Sequence, residues 1–119
     1  MIDCEAPLGM ENGAISDDKI IASSEWNEHA ATYARLNYKI QGAWGWVSKA
    51  SDYSQWLQVD LGSHTAVTAV ATQGSPDANN INWVTKYKLK YRGDEVEFHF
   101  YKAPSDTSPK VYQCMILAF

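Results

Sequence analysis

Alternating apolar and polar positions, together with runs of β-branched residues, mark four short segments in the second half of the chain. The clearest is residues 56–61, where Leu57, Val59 and Leu61 share one face of an extended chain. The other three are residues 66–72, 83–91 and 96–101. Turn-forming residues separate them at 62–64, 74–80 and 93–94. Short strands at this spacing predict an all-β sandwich or barrel.

The first half of the chain has weaker periodicity. Its best helical candidate is residues 27–37, which contain several alanines but also Thr32 and Tyr33. We therefore predict a loop there with at most one helical turn.

Length and composition indicate the number of domains and the class of protein. A chain of 119 residues and 13.3 kDa predicts a single domain over residues 1–119. With 45% hydrophobic and 20% charged residues it has a globular balance, and a net charge of −4 argues against nucleic acid as a partner. No apolar run is long enough to span a bilayer, and residues 1–11 show no signal-peptide pattern.

One predicted strand carries an uneven charge. Every second position from 86 to 92 is a cation, so these side chains share one face of the strand; they are Lys86, Lys88, Lys90 and Arg92. Tyr87, Leu89 and Tyr91 point the other way, towards a core. Such a stripe could attract phosphatidylserine or sulfated glycans. Exposed strand faces commonly carry lysine for solubility, and we favour that simpler interpretation.

Several segments, taken in order, resemble the discoidin family, also called the coagulation factor V/VIII type C domain. The strongest is Gln55-Trp-Leu-Gln-Val-Asp-Leu-Gly62. The others include the opening at Cys4, and residues 20–24, 34–37, 42–44, 67–74 and 83–89. The resemblance covers residues 4–113 and implies a jelly-roll β-sandwich or barrel of eight strands, like that of galactose-binding domains. It also implies function in loops at one end, called spikes, with which extracellular relatives bind anionic phospholipids, glycans, collagen or protein tails.

The end of the chain departs from that family. Residues 114–119 form an atypical tail where the family continues for several strands and closes with a cysteine that pairs with the opening one. We therefore expect a truncated domain whose last strands are missing, in keeping with a fragment of a longer secreted protein. Cys4 and Cys114 could form one terminal disulfide or remain two thiols.

The candidate binding residues follow from the spikes that the resemblance implies. Trp26 and its neighbour Asn27 lie in a polar segment that matches the first spike, where an aromatic side chain is poorly explained as core. Trp46, in the second spike region, is a further candidate contact. Asp52 and Tyr53 precede the strongest strand, and Asp52 is a candidate partner for a basic ligand group.

The third spike corresponds to residues 75–82. Asp77, Asn79 and Asn80 could hydrogen-bond sugar hydroxyls, and Ile81 could make a shallow membrane contact. Oxygen-rich loops also bind Ca²⁺, although a solvated turn is the simpler interpretation of these residues.

No pattern in the sequence predicts catalysis. The three histidines lack metal-ligand spacing, and no nucleophile motif or phosphate-binding loop is present. Arg92-Gly-Asp94 spells an integrin tripeptide, but such short motifs recur by chance and we disfavour that partner.

These observations predict a non-enzymatic extracellular module, secreted or part of an ectodomain, that binds cell-surface or matrix glycans or proteins. The acidic residues Glu25 and Glu28 beside Trp26 argue mildly against an anionic membrane. Phosphatidylserine binding remains one alternative. A truncated remnant without independent function is another.

Overall fold

A computed structural model describes residues 6–40, 43–75, 82–105, 107–108 and the backbone of 111–113. The chain divides into two compact units, residues 1–71 and 72–119. Within the described residues the regular elements are short strands and two 3₁₀ helices, Asp17–Lys19 and Ala31–Ala34. The second 3₁₀ helix confirms the single helical turn predicted within residues 27–37. Cys4, Cys114 and the atypical tail lie outside the described residues, so the disulfide and the truncation stay predictions.

The first unit is built on one antiparallel pair of strands. β1 (Ile20–Ala22) pairs with β2 (Leu57–Val59), with Ile20 opposite Val59 and Ala22 opposite Leu57. β2 forms the centre of the strand predicted from the alternation over residues 56–61. Backbone hydrogen bonds from Asp60 to Lys19 and from Ser23 to Trp56 extend the pairing by one residue at each end. The pairing thus fixes where the loop after β1 and the loop before β2 begin.

A small apolar core lies beside this pair. Ile15, Ile20 and Ala31 are buried, and they are packed against Met10, Ala22, Trp46, Val59 and Leu61. The inward face predicted for residues 56–61 is confirmed for Val59 and Leu61. Leu57 is 36% exposed, at the end of the strand where this core stops.

The guanidinium of Arg35 ties the N-terminal segment to this unit. Its side chain is 8% exposed, and it donates hydrogen bonds to the carbonyl oxygens of Met10 and Ile15 at 2.7 Å each. It also pairs with the carboxylate of Asp17 at 2.6 Å. Three partners spread over residues 10–17 hold this irregular segment against the 3₁₀ helix that ends at Ala34.

The second unit contains the remaining strands. β3 (Lys86–Lys88) pairs antiparallel with β6 (Val111–Gln113). β4 (Lys90–Tyr91) pairs antiparallel with β5 (His99–Phe100), which places Lys90 opposite Phe100 and Tyr91 opposite His99. The β4–β5 pair confirms the predicted hairpin, although both strands are shorter than the pattern suggested and the first is interrupted at Leu89.

Two further predictions about strands and core residues are wrong. Residues 66–72 form no strand ladder with any part of the chain that the structure describes, and they are exposed. Three of these seven residues are alanines, which bury too little apolar surface to favour pairing strongly. Trp56 and Trp83 begin two of the predicted strands, and this position predicts core residues, yet they are 48% and 42% exposed. Trp56 lies three positions before Val59 and therefore points to the opposite face of its strand from the core.

Candidate ligand-binding surface

Trp26 lies on a tight turn that directly follows β1. The turn closes when the amide of His29 donates to the carbonyl oxygen of Trp26 at 3.0 Å. Asn27 adopts a φ of 49°, a left-handed conformation that asparagine tolerates better than most residues. The indole of Trp26 is 49% exposed, as its polar surroundings in the sequence predicted.

The imidazole of His29 stacks against one face of the Trp26 indole. The two ring centroids are 5.5 Å apart and the planes differ by 25°, which is a stacked arrangement. Nδ1 of His29 lies 3.1 Å from the carbonyl oxygen of Gly45. Since a carbonyl oxygen only accepts, Nδ1 carries the proton and donates, and this bond fixes the plane of the imidazole on which Trp26 rests.

The Trp26 turn is also held through its backbone. The amide of Trp26 donates to the carbonyl of Val47 at 2.8 Å, and the amide of Val47 donates to the carbonyl of His29 at 3.4 Å. The carboxylate of Glu25 accepts from the amide of Ala31 at 2.8 Å. An exposed aromatic residue on a backbone held in this way loses little conformational entropy when it binds a ligand.

Trp46 occupies a different position from Trp26. It is half-buried and packs against the core of the first unit, and its Nε1 donates to the carbonyl of Ser24 at 2.9 Å. It therefore lies at the base of the loop that carries Trp26. Its predicted part in ligand contact stays a prediction.

A polar network that sequence reasoning missed joins the Trp26 loop to Asp52. The hydroxyls of Ser23 and Ser24 donate to Oε1 of Gln55 at 2.8 and 2.6 Å. Nε2 of Gln55 donates in turn to Oδ1 of Asp52 at 3.1 Å. The sequence signal that could have found it is the position of Gln55 at the head of the strongest matching run.

Tyr53 extends from this network into solvent. Oδ1 of Asp52 also accepts from the amide of Ser54 at 2.8 Å, which forms a local turn around Tyr53. The phenol ring of Tyr53 is fully exposed. Trp26 and Tyr53 thus lie exposed on segments that share the Ser24–Gln55–Asp52 network, and Trp56, which directly follows Gln55, is also exposed.

The third predicted spike is described only at its base. The amide of Ser75 donates to the carbonyl of Asn82 at 2.8 Å, which closes the loop. Asp77, Asn79, Asn80 and Ile81 lie outside the described residues, so their proposed roles stay predictions.

The Arg-Gly-Asp tripeptide lies at the turn between β4 and β5. Arg92 is folded back, with its guanidinium 4.6 Å from the ring centroid of Phe98 and Nη1 donating to the carbonyl of Val96 at 3.0 Å. The amide of Gly93 donates to the carboxylate of Glu95 at 2.7 Å. The arginine is therefore engaged within its own hairpin.

Neither a metal-binding cluster nor a membrane-spanning helix is found among the described residues. Among the residues that the structure describes, no three histidine, cysteine or acidic side chains gather at a point where they could hold a metal ion. None of the helices in the described ranges is long and apolar enough to cross a membrane.

The sequence profile of the F5/8 type C domain matches residues 19–113. The chain belongs to that family. Domains of the family are β-sandwiches that act as extracellular, non-enzymatic binding modules. The matched range includes the Trp26 turn, the Gln55 network and the β4–β5 hairpin.

The relatives are much longer than this chain. It is 36% identical to lactadherin from Bos taurus over 117 residues, and 41% identical to retinoschisin from Takifugu rubripes over 104 residues. These alignments cover 92% and 81% of the chain but 27% and 36% of the relatives. Coagulation factor V from Sus scrofa is 35% identical, and the chain spans 5% of its length.

Proposed function

We propose that this chain is an extracellular adhesion module that binds a glycan through the Trp26 turn. The observation that carries the proposal is the indole of Trp26, which is half exposed and stacked on His29. One face of the indole rests on the imidazole, and an exposed aromatic surface remains for a ligand. Carbohydrate rings have apolar C–H faces and polar edges, so they suit an aromatic platform with hydrogen-bonding neighbours.

The neighbours of Trp26 favour this ligand over an anionic membrane. Asn27 and Glu28 are exposed beside it, and Glu25 directly precedes it. A side chain that inserts into a bilayer needs an apolar surround and gains from nearby cations. An indole flanked by carboxylates meets neither condition, whereas carboxylates and amides are good partners for sugar hydroxyls.

Exposed polar groups elsewhere on the first unit extend the proposed surface. Asp52 and Tyr53 are exposed and are connected to the loop of Trp26 through Gln55. We propose that they contact the ligand at a second point. Trp46 positions the loop by packing and by its bond to Ser24.

A glycan array tests this function directly. The 119-residue chain should bind a defined set of glycans, and Trp26→Ala should lose at least tenfold in affinity, as expected for an aromatic hot spot. Trp83→Ala is the matched control, because it also removes a partly exposed indole, 42% exposed, from the other unit. Near-UV circular dichroism of each variant confirms that packing is retained.

Vesicle pelleting with and without phosphatidylserine tests the alternative ligand, an anionic membrane. Selective pelleting that disappears in Trp26→Ala, together with an empty glycan array, would replace the glycan by a lipid surface as ligand. Equal losses for Trp26→Ala and Trp83→Ala would show nonspecific aromatic adhesion and would overturn the proposal.

A further inference from the structure

One face of the β3–β4 segment and its partner strand β5 is formed by cations and phenylalanines. We define this cationic face as Lys86, Lys88, Lys90, Arg92, Phe98 and Phe100. Side chains at alternate positions of a strand share a face, and the pairing of Lys90 with Phe100 places the two sets of residues on the same side. Lys86, Lys88 and Lys90 are exposed, whereas Tyr87 and Leu89 on the opposite side are half-buried. Tyr91 was also predicted to point towards a core, but it is 59% exposed.

The phenylalanine rings hold these cations. Nζ of Lys90 lies 4.4 Å from the ring centroid of Phe100, and Nζ of Lys88 lies 5.6 Å from the same centroid. The guanidinium of Arg92 lies over Phe98. A cation over an aromatic face is attracted to the ring while its other side still faces water. The positive groups are therefore partly fixed in place before any anion arrives.

The four cations of this face outnumber the acidic residues of the adjoining hairpin, which are Asp94, Glu95 and Glu97. Positions 86–92 contain no acidic residue, although the whole chain carries a net charge of −4. Like charges placed two residues apart on a strand repel each other, so an anion that lies along this face lowers its electrostatic free energy.

We propose that the cationic face binds a linear sulfated glycan. At a rise of about 3.3 Å per residue, Lys86, Lys88 and Lys90 lie about 7 Å apart and extend about 13 Å along the chain, and Arg92 follows them over the ring of Phe98. Sulfate groups repeat along such a glycan, so several of them can meet successive cations at once. The surface is separate from the Trp26 turn, and the inference does not depend on the function proposed for that turn.

A linear polyanion fits this face better than a membrane does. The cations form a single row along a strand, and strands twist, so only part of the row can meet a plane. Phe98 and Phe100 are 39% and 40% exposed and lie beneath the cations. They are therefore poorly placed to insert into a bilayer.

Binding of the 119-residue chain to heparin, titrated with salt, tests the proposal. The double variant K88Q/K90Q should bind about thirtyfold more weakly and show a shallower dependence on salt, because two cations no longer displace counterions. The control K39Q/K49Q removes two exposed lysines of the first unit and should remain within twofold of the parent chain. K88R/K90R should retain binding, and desulfated heparin should bind none of the proteins.

A second variant tests the cationic face without removing any charge. Phe100→Leu retains every cation but removes the ring that holds two of them, and it should weaken heparin binding severalfold. Equal losses in the two lysine pairs, equal binding of desulfated heparin, or binding to phosphatidylserine vesicles without binding to heparin would each overturn the proposal.

Discussion

The indole of Trp26 lies stacked on the imidazole of His29, with the ring centroids 5.5 Å apart. Two residues separate them in sequence, and the left-handed backbone at Asn27 turns the chain so that the two rings meet face to face. The exposed aromatic residue of the proposed binding surface is therefore supported by a partner that is itself hydrogen-bonded to Gly45.

Two substitutions of His29 should separate the contribution of its stack on Trp26 to stability from that of its hydrogen bond to Gly45. His29→Ala loses both the stack and the bond to Gly45, and each contributes about 0.5–1.5 kcal/mol. His29→Phe keeps an aromatic ring under Trp26 and loses only the bond. We expect the alanine variant to lower the free energy of unfolding in urea about twice as much as the phenylalanine variant. Equal effects would show that the stack adds nothing.

Removal of the Arg35 side chain should destabilise the first unit strongly. Arg35→Ala leaves the carbonyls of Met10 and Ile15 without their charged donor in a largely buried place, so we expect a loss of about 2–4 kcal/mol in urea unfolding. Asp17→Ala removes only the exposed partner, which is 74% accessible, and should cost less than about 1 kcal/mol. A cost for Asp17→Ala that matches Arg35→Ala would place the stabilisation in the ion pair instead.

Gln55 should control the order of the loops around it. In Gln55→Ala the hydroxyls of Ser23 and Ser24 lose their shared acceptor. These hydroxyl oxygens accept from the amides of Trp56 and Lys49, both at 3.0 Å. We expect faster hydrogen exchange at those two amides, with little change in the β1–β2 pairing.

Ser51→Ala, an exposed change beside Asp52, is the control for the Gln55 experiment. It should leave the exchange of both amides unaltered. Unchanged exchange in Gln55→Ala would mean that the serine hydroxyls hold these amides without the glutamine.

The two adjacent isoleucines of β1 should respond very differently to truncation. Ile20 is 3% exposed in the core and Ile21 is 47% exposed. Ile20→Ala should cost about 2–4 kcal/mol through lost burial and the cavity that remains, whereas Ile21→Ala should cost less than about 1 kcal/mol. Similar thermal midpoints for the two variants would contradict the placement of the core on this face.

Local pattern was sufficient to predict the features that depend on neighbouring residues. The alternation around Val59 predicted β2, the turn at Gly93 and Asp94 predicted the hairpin, and the polar sequence around Trp26 predicted an exposed indole. In each case the deciding information lies within a few residues.

Features that depend on distant residues were not predictable in this way. Gln55 meets Ser24 across 31 positions, and Arg35 meets Met10 across 25, and neither contact leaves a periodic trace. The strand predicted at 66–72 was wrong for a related reason, because β-branched residues favour an extended chain but do not supply a partner strand.

The pairing of Ile20 with Val59 also determines when the proposed binding surface can form. The Trp26 turn is synthesised long before β2 and the Gln55 network that support it. At about 5–20 residues per second, a ribosome needs several seconds to add the intervening segment. Throughout that interval β1 has no partner strand, and the Trp26 turn lacks the Gln55 network that supports it in the folded protein.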